Sequence, residues 1–310
     1  MNIAILGATS QIAKDLILIF SIDEEKYLHL FARRPLDVNK WLKDADLSGR
    51  YKVDEFAEFG SQNFDVVINF VGVGSPAKAA AMGASIFDVT LYYDELALSY
   101  VRQHTYCRYI FLSSGAAYGS SFEEPVDADT KAAIAINNLQ PQDWYAVSKL
   151  HAECRHRSLI SLPIVDIRVF NYFSQTQDLE ARFLITDIVR AIRDKSLLKT
   201  SPDYIVRDFL HPSDFHQLVN AVLCAPLIND VVDCYTLSPV SKSDLLDAME
   251  ENFGLHYEVT EKNAGINATG GKPYYYSLNK RAQDYGYNPT FTSLDGILVE
   301  SKNILIRLST

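Results

Sequence analysis

The feature that most constrains this fold is a series of short apolar runs that recur through the first half of the chain, with helical stretches between them. Asn2–Leu6 (NIAIL), Tyr27–Ala32 (YLHLFA), Asp65–Val71 (DVVINFV), Tyr109–Ser113 (YIFLS) and Ile164–Phe170 (IVDIRVF) are apolar at nearly every position. A strand with one wet face alternates apolar and polar residues. A run that is apolar throughout is buried on both faces, as in a parallel sheet covered by helices. Such a run also fits a buried helix, and here the flanking glycines and β-branched residues decide for strands. Ile12–Phe20 (IAKDLILIF) carries the stripe of an amphipathic covering helix. The expected fold class is α/β, a doubly wound parallel sheet.

After about Phe173 the pattern changes. Helical segments near Ala181–Arg193 and Ser243–Phe253 mix with loops rich in Asn, Gly and Pro, and Val231–Leu237 (VVDCYTL) reads as one more strand returning to the sheet. At about 150 residues per domain, a chain of this length has room for two units. The expected division is residues 1–172 for the sheet and 173–310 for a smaller lobe, discontinuous because of the returning strand. With 48% hydrophobic and 22% charged residues the chain is an ordinary globular one. Its 29 Lys and Arg against 39 Asp and Glu give a net charge of −10, so no nucleic-acid partner is expected. No apolar run reaches the roughly 18 residues that cross a bilayer, so no membrane partner is expected either. MNIAILGATS enters a strand directly, without the basic n-region of a signal peptide. Cys107, Cys154, Cys224 and Cys234 form no CxxC pair and read as free thiols of a reducing compartment, which points to the cytoplasm. The seven histidines show no HExxH or HxxxH spacing, and no metal is expected.

The first strand runs into Gly7-Ala8-Thr9-Ser10-Gln11-Ile12-Ala13, which opens the first helix. This is the strand–turn–helix context of a dinucleotide fingerprint. Gly7 permits the tight turn, the helix N-terminus offers free N–H groups to a pyrophosphate, and Ala13 is small enough for helix and strand to pack. Ser10 stands where the second glycine is usual; its Cβ limits backbone approach, while its hydroxyl can reach a phosphate oxygen. The sheet is therefore expected to be Rossmann-like, with residues 1–172 as the dinucleotide-binding domain. Gly7, Thr9, Ser10, Gln11 and Ile12 are candidate cofactor residues. The second strand ends FARRP. A carboxylate there bonds the ribose 2′-hydroxyl of NAD; Arg33 and Arg34 stand there instead, and a guanidinium fork suits the 2′-phosphate of NADP. NADP(H) is the favoured cofactor, with NAD(H) as the alternative.

Downstream, strand YIFLS leads into Ser113-Ser114-Gly115-Ala116-Ala117-Tyr118-Gly119, and later comes Tyr145-Ala146-Val147-Ser148-Lys149. On a helix, the i, i+4 spacing puts Tyr145 and Lys149 on one face. A phenol with its ordinary pKa of about 10 is a poor base at neutral pH, and a neighbouring ammonium is expected to lower it. Ser114 can then hold the substrate oxygen while Tyr145 passes the proton.

Together these segments resemble the extended short-chain dehydrogenase/reductase family, in particular its nucleotide-sugar epimerase, dehydratase and reductase branch, over nearly the whole chain. The resemblance implies a catalytic triad of Ser114, Tyr145 and Lys149, with Lys149 also on the nicotinamide ribose. It implies that Val67–Gly72 (VINFVG) lines the cofactor through Val71 and Gly72. Arg168-Val169-Phe170-Asn171 resembles an RxxN element whose asparagine approaches the substrate diphosphate, and RDFLHPSD, residues 207–214, resembles the element whose arginine grips it. Asn171, Arg207, Ser114 and Tyr145 are thus the expected substrate residues. Tyr274–Lys280 and the GYNP that follows resemble the ending of the substrate lobe; the Tyr274–Tyr276 run either lines the sugar pocket or packs the lobe. Tyr118, His211 and Cys107 read as structural.

Departures from the branch narrow the chemistry. Dehydratases carry an Asp-Glu pair after the catalytic hydroxyl, and GDP-fucose synthases a cysteine. Here Gly115 and Ala116 follow Ser114, and neither is an acid, a base or a thiol. Asp88 stands where many members have asparagine. Hydride transfer at one carbon remains. The arginine pair favours an NADPH-dependent 4-ketoreductase of a nucleotide-linked deoxysugar. An NAD-dependent nucleotide-sugar 4-epimerase is the alternative, and a non-catalytic dinucleotide sensor a further one. The expected partner is a nucleotide sugar; a homodimer is left open.

Overall fold

The computed structural model describes residues 1–73, 79, 81–119, 122–141, 143–260 and 272–309. The first six strands are β1 (Asn2–Leu6), β2 (Tyr27–Phe31), β3 (Lys52–Asp54), β4 (Val66–Asn69), β5 (Arg108–Ser114) and β6 (Ile164–Val169). Short strands follow, β7 (Asn171–Tyr172), β8 (Leu197–Thr200), β9 (Val206–Arg207) and β10 (Phe209–Leu210), and then β11 (Asp230–Asp233). Strands β1–β6 and β11 form one seven-stranded sheet in the order β11-β6-β5-β4-β1-β2-β3, parallel throughout. The expected Rossmann-like sheet is thus the observed one. Its order reverses between β1 and β4, where open α/β sheets bind ligands at their carboxyl ends.

Both faces are covered, as the apolar runs require. Alternate residues of β1 serve opposite layers. Ile3 and Ile5 pack with Leu16, Ile17 and Phe20 of α1 (Gln11–Phe20) and with Val38 and Leu42 of α2 (Pro35–Asp44). Ala4 and Leu6 pack with Leu98 and Val101 of α3 (Ser85–Gln103) and Ala152 of α4 (Asp143–Ser158). A separate apolar cluster joins Ile185, Ile188 and Val189 of α5 (Leu184–Arg193) to later helices. After α6 (Pro212–Cys224), these are α7 (Lys242–Phe253), with Leu245, Leu246 and Met249, and α8 (Ser293–Ser309), with Ile297 and Ile304.

Several boundaries are set by side chains. The strand expected over Val231–Leu237 stops at Asp233, because Thr236 N–H donates to the Asp208 carboxylate, 3.0 Å away, rather than to a strand. The run Asp65–Val71 is a strand only to Asn69, whose Oδ1 takes the Val71 N–H at 2.9 Å. The helix expected from Ala181 begins at Leu184, because Thr186 Oγ1 accepts the Phe183 N–H at 3.1 Å. His211 caps α6, accepting the Ser213 N–H at 3.2 Å, with Pro212 in the first turn where its missing N–H costs nothing.

Three remaining strands, β12 (Val240–Ser241), β13 (His256–Val259) and β14 (Tyr274–Tyr275), complete small sheets. In one of these, β9 lies between β12 and β14, with Tyr275 in register with Arg207. That pairing brings a tyrosine of the chain's last third to the carboxyl end of β5.

Candidate active site

At the switch point, Gly7 has φ +82°, and a Cβ there would lie 2.9 Å from the Val71 backbone nitrogen. Only glycine lets the turns after β1 and β4 approach this closely. The Gly7 and Ala8 N–H groups donate to the Phe31 carbonyl at 2.9 and 3.1 Å, which fixes the turn to the end of β2. The first-turn N–H groups of α1 are left, together with a Ser10 hydroxyl that makes no capping bond. Gln11 Nε2 is held by Ser174 Oγ at 2.9 Å. Thr9 is exposed, while Ser10, Gln11 and Ile12 are half-buried around the opening.

The two arginines after β2 part company. Arg34 Nε is 2.8 Å from Asp37 Oδ2, one turn further along α2, and both groups are largely in water. Arg33 is exposed and has no ion pair among the described residues; its charge opposes the burial that raises the Tyr93 phenol. The expected two-arginine fork is therefore one free guanidinium and one taken by its own helix.

Ser114 ends β5, and its Oγ accepts the Ala116 N–H at 3.2 Å. Tyr145 and Lys149 lie on α4 one turn apart. Lys149 is 3% exposed and donates to the Leu112 carbonyl at 2.8 Å. Its Nζ lies 3.5 Å from where a Gly72 Cβ would stand, ordinary contact distance, which puts the ammonium beside the β4 turn. Burial pulls the Lys149 pKa down to about 8, against the nearby Glu153 charge. Burial also raises the Tyr145 phenol, and the Ser114 hydroxyl opposes that rise. This corrects the expectation of a phenol lowered by the lysine. The ammonium is 6.0 Å from the Tyr145 ring centroid and engaged by a carbonyl, while the desolvated ring disfavours phenolate.

Gly115 is enforced by packing. A Cβ there would fall 2.3 Å from Phe170 Cδ1, so the position of the dehydratase acid is filled by an aromatic ring. Phe170 stands 5.2 Å from Tyr275 by ring centroids, and Tyr275 Oη lies 3.2 Å from Ser114 Oγ. Two cations flank Tyr275. Arg207 Cζ is 5.9 Å and Lys272 Nζ 4.9 Å from its ring centroid. Arg207 donates only to the Val206 and Pro273 carbonyls, at 2.8 and 3.3 Å, and has no carboxylate partner among the described residues. Asp208 is taken by Thr236 and Ser293, and Asp214 by Thr290 and Phe291. Burial lowers Arg207 to about 10; burial and the Arg207 charge lower Lys272 to about 8. Arg207 and Lys272 are both half-buried, neither makes an ion pair among the described residues, and together they present positive charge that an anion can meet. Asn171 sits on β7 beside this group, donating to the Asp208 carbonyl at 3.2 Å.

A buried chain of hydrogen bonds holds the turn after β4. Asn69 accepts the Val71 N–H and donates to Tyr109 Oη at 3.0 Å. Tyr109 donates to Asp94 at 2.9 Å, and His156 lies between Asp94 and Asp166, 2.8 and 2.6 Å away. Sequence reasoning missed this network, as it missed Lys272 and the approach of Tyr275 to Ser114. Its one sequence signal is Asp94, an acid inside the apolar face of a helix. Tyr118 is structural: it is buried and donates to Asp233 at 2.8 Å. Asp88 lies in the first turn of α3.

A Rossmann-like sheet with Ser114, Tyr145 and Lys149 gathered near its switch point is the architecture of an enzyme class that uses a nicotinamide dinucleotide, and comparison with known proteins gives the family. The model of the NAD dependent epimerase/dehydratase family matches residues 3–231, and the chain belongs to that family. Members of this family are enzymes. Among solved structures, UDP-glucuronic acid 4-epimerase from Bacillus cereus in complex with UDP-glucuronic acid and NAD is 17% identical, with a TM-score of 0.78 over 99% of this chain and 100% of that one. UDP-glucose 4-epimerase from Bifidobacterium longum in complex with NAD+ and UDP is 19% identical, with a TM-score of 0.77 over 99% and 98%. dTDP-glucose 4,6-dehydratase from Bacillus anthracis in complex with NAD is 17% identical, with a TM-score of 0.76 over 98% and 96%. No curated protein matches the chain. Among the described residues no helix is long and apolar enough to cross a membrane.

Proposed function

We propose that this protein is an NADPH-dependent 4-ketoreductase of a nucleotide-linked deoxysugar, working in the cytoplasm. Residues 1–172 bind the dinucleotide, and residues 173–310 mainly bind the sugar nucleotide. The observation that supports the reading is the juxtaposition of Ser114, Tyr145 and Lys149 with Arg207 by way of Tyr275, Arg207 being a half-buried cation without a carboxylate partner among the described residues. The close approach at Gly7, the free first turn of α1 and the Lys149 ammonium beside Gly72 fit a dinucleotide, with Thr9, Ser10, Gln11, Ile12 and Val71 around it. When bound, its nicotinamide supplies the hydride.

The chain's own residues do the rest. Arg207 and Lys272 bind the diphosphate, with the second N–H of Asn171 beside them, and so place the sugar. Ser114 holds the carbonyl oxygen, and Tyr145 delivers the proton that turns it into a hydroxyl. Lys149 holds the ribose and offsets the charge left on Tyr145. Phe170 over Gly115 excludes an acid or thiol that would eliminate water or epimerise a neighbouring carbon. The cofactor choice rests on Arg33, free of any ion pair among the described residues at the end of β2, where no carboxylate stands.

A second reading, NAD-dependent 4-epimerisation, is supported by the 4-epimerase neighbours that carry NAD. The proposed chemistry is tested with Tyr145→Phe, which keeps the ring and removes the ionisable oxygen. Calorimetry should show cofactor binding retained, while turnover of a nucleotide ketosugar falls by about 100-fold or more. Wild-type turnover in that variant would move the proton source elsewhere.

A further inference from the structure

Ser114 needs its single proton aimed at the reacting oxygen, and a serine hydroxyl is a free rotor unless its lone pairs are taken. The hydroxyl has one donor proton and two acceptor sites. The Ala116 N–H occupies one site at 3.2 Å. Tyr275 Oη stands 3.2 Å away on another side. Tyr275 cannot turn aside easily. Its ring lies edge-on to Phe122 with centroids 4.8 Å apart and packs on Phe170 at 5.2 Å, and its backbone is in register with Arg207. Burial raises the Tyr275 phenol and so keeps its proton in place, while the Arg207 charge beside the ring opposes that rise. Where the Tyr275 O–H takes the donor role, it and the Ala116 N–H fill both acceptor sites of Ser114, and the serine proton is left to face Tyr145, whose phenol feels the Ser114 hydroxyl.

We propose that Tyr275 is a positioning residue, which locks the Ser114 hydroxyl as a donor toward Tyr145 and the substrate oxygen. This assignment rests on the proposed reductase or epimerase chemistry for its kinetic consequence, but not for its geometry. It also gives a use to the Tyr274–Tyr276 run: the middle tyrosine reaches the catalytic serine through the β9–β14 pairing, while Tyr274 and Tyr276 do not.

The test compares Tyr275→Phe, Ser114→Ala and the double variant in the full-length protein, after checking that each still melts cooperatively. The first readout needs no substrate. With 13Cζ-labelled tyrosine, the Tyr145 resonance is identified by its loss in Tyr145→Phe, and at neutral pH its shift reports the hydrogen bond its oxygen accepts. Tyr275→Phe should move it in the same direction as Ser114→Ala, and the double variant should move it no further. The second readout is kinetic. Tyr275→Phe should lower kcat by about tenfold, the worth of one hydrogen bond, with KM little changed. In the Ser114→Ala background it should cost nothing more. A Tyr145 signal left at its wild-type position in Tyr275→Phe, or an equal kinetic loss in both backgrounds, would overturn the assignment. A moved Tyr145 signal in a protein that turns over no nucleotide sugar would retire the proposed function and leave the positioning role standing.

Discussion

Raising the pH through the range in which His156 loses its proton should weaken the fold measurably. His156 is fully buried between Asp94 and Asp166. Burial opposes its charge, but the two carboxylates and their hydrogen bonds overcome it and hold the pKa up at about 9. In the unfolded chain it returns to about 6.5. The folded state therefore binds more protons between those values. The stabilisation is complete below about pH 6.5 and is lost as the pH rises through about 9. At about 1.4 kcal/mol per unit, the contribution at stake is about 3 kcal/mol, a sizeable part of a typical domain's stability. Urea unfolding at about pH 6 and about pH 9.5 measures it, with His156→Gln as the reference. That variant leaves Asp94 paired to Arg155 and Asp166 to Arg157 but takes the charge from between them, and should itself lose about 3 kcal/mol at low pH. It should also lose the downward slope. The reference is needed because Lys149, with its pKa depressed to about 8, works in the opposite sense and adds stability as pH rises beyond that value. Parallel pH profiles for the two proteins, or an NMR midpoint for the His156 ring near its ordinary value, would refute the reasoning. Because the network ends on the Val71 N–H, His156→Gln should also loosen cofactor binding.

Three further outcomes follow from the site. Arg33→Ala should weaken NADPH by about 1.5–3 kcal/mol and leave NADH nearly unchanged, since a phosphate–guanidinium contact is charge-assisted; calorimetry of both cofactors checks it. Arg207→Ala should raise KM for the nucleotide sugar far more than it lowers kcat, and it should not lower the melting temperature, because it removes a half-buried cation without a carboxylate partner among the described residues. Gly115→Ala forces the Phe170 ring to move, because a Cβ falls 2.3 Å from it. It should cost about 1–3 kcal/mol in denaturant unfolding, and Gly115→Ala with Phe170→Leu should recover much of the loss.

The strands were legible where burial on both faces leaves a continuous apolar signature. Asn2–Leu6 is β1 as read, and Tyr109–Ser113 and Ile164–Phe170 differ from β5 and β6 by one residue at an end or two. The edge strand Lys52–Asp54 has no such signature, because its KVD sequence packs on one neighbour only. The two-residue strands of the lobe are invisible for a different reason. Tyr274–Tyr275 is extended because β9 pairs with it, and nothing local to YY dictates that. The site divides in the same way. Gly7, Ser114, Tyr145 and Lys149 announce themselves by spacing, since the turn and helix that carry them are local. Tyr275 meets Ser114 across 161 positions, and the free state of Arg207 depends on where Asp208 and Asp214 spend their hydrogen bonds. Both facts belong to the tertiary fold. Asp37, the ion-pair partner of Arg34, is visible in the sequence, but only helix geometry says that the two meet.

The most direct test of the central claim is a stoichiometry. A nucleotide 4-keto-6-deoxysugar is supplied with NADPH, and the nicotinamide absorbance is followed alongside the sugar product. Net reduction predicts one NADPH consumed per sugar converted, with a new hydroxyl at C4 and no turnover without added NADPH. Interconversion of two nucleotide sugars with no cofactor added or consumed would contradict it and establish the epimerase in its place.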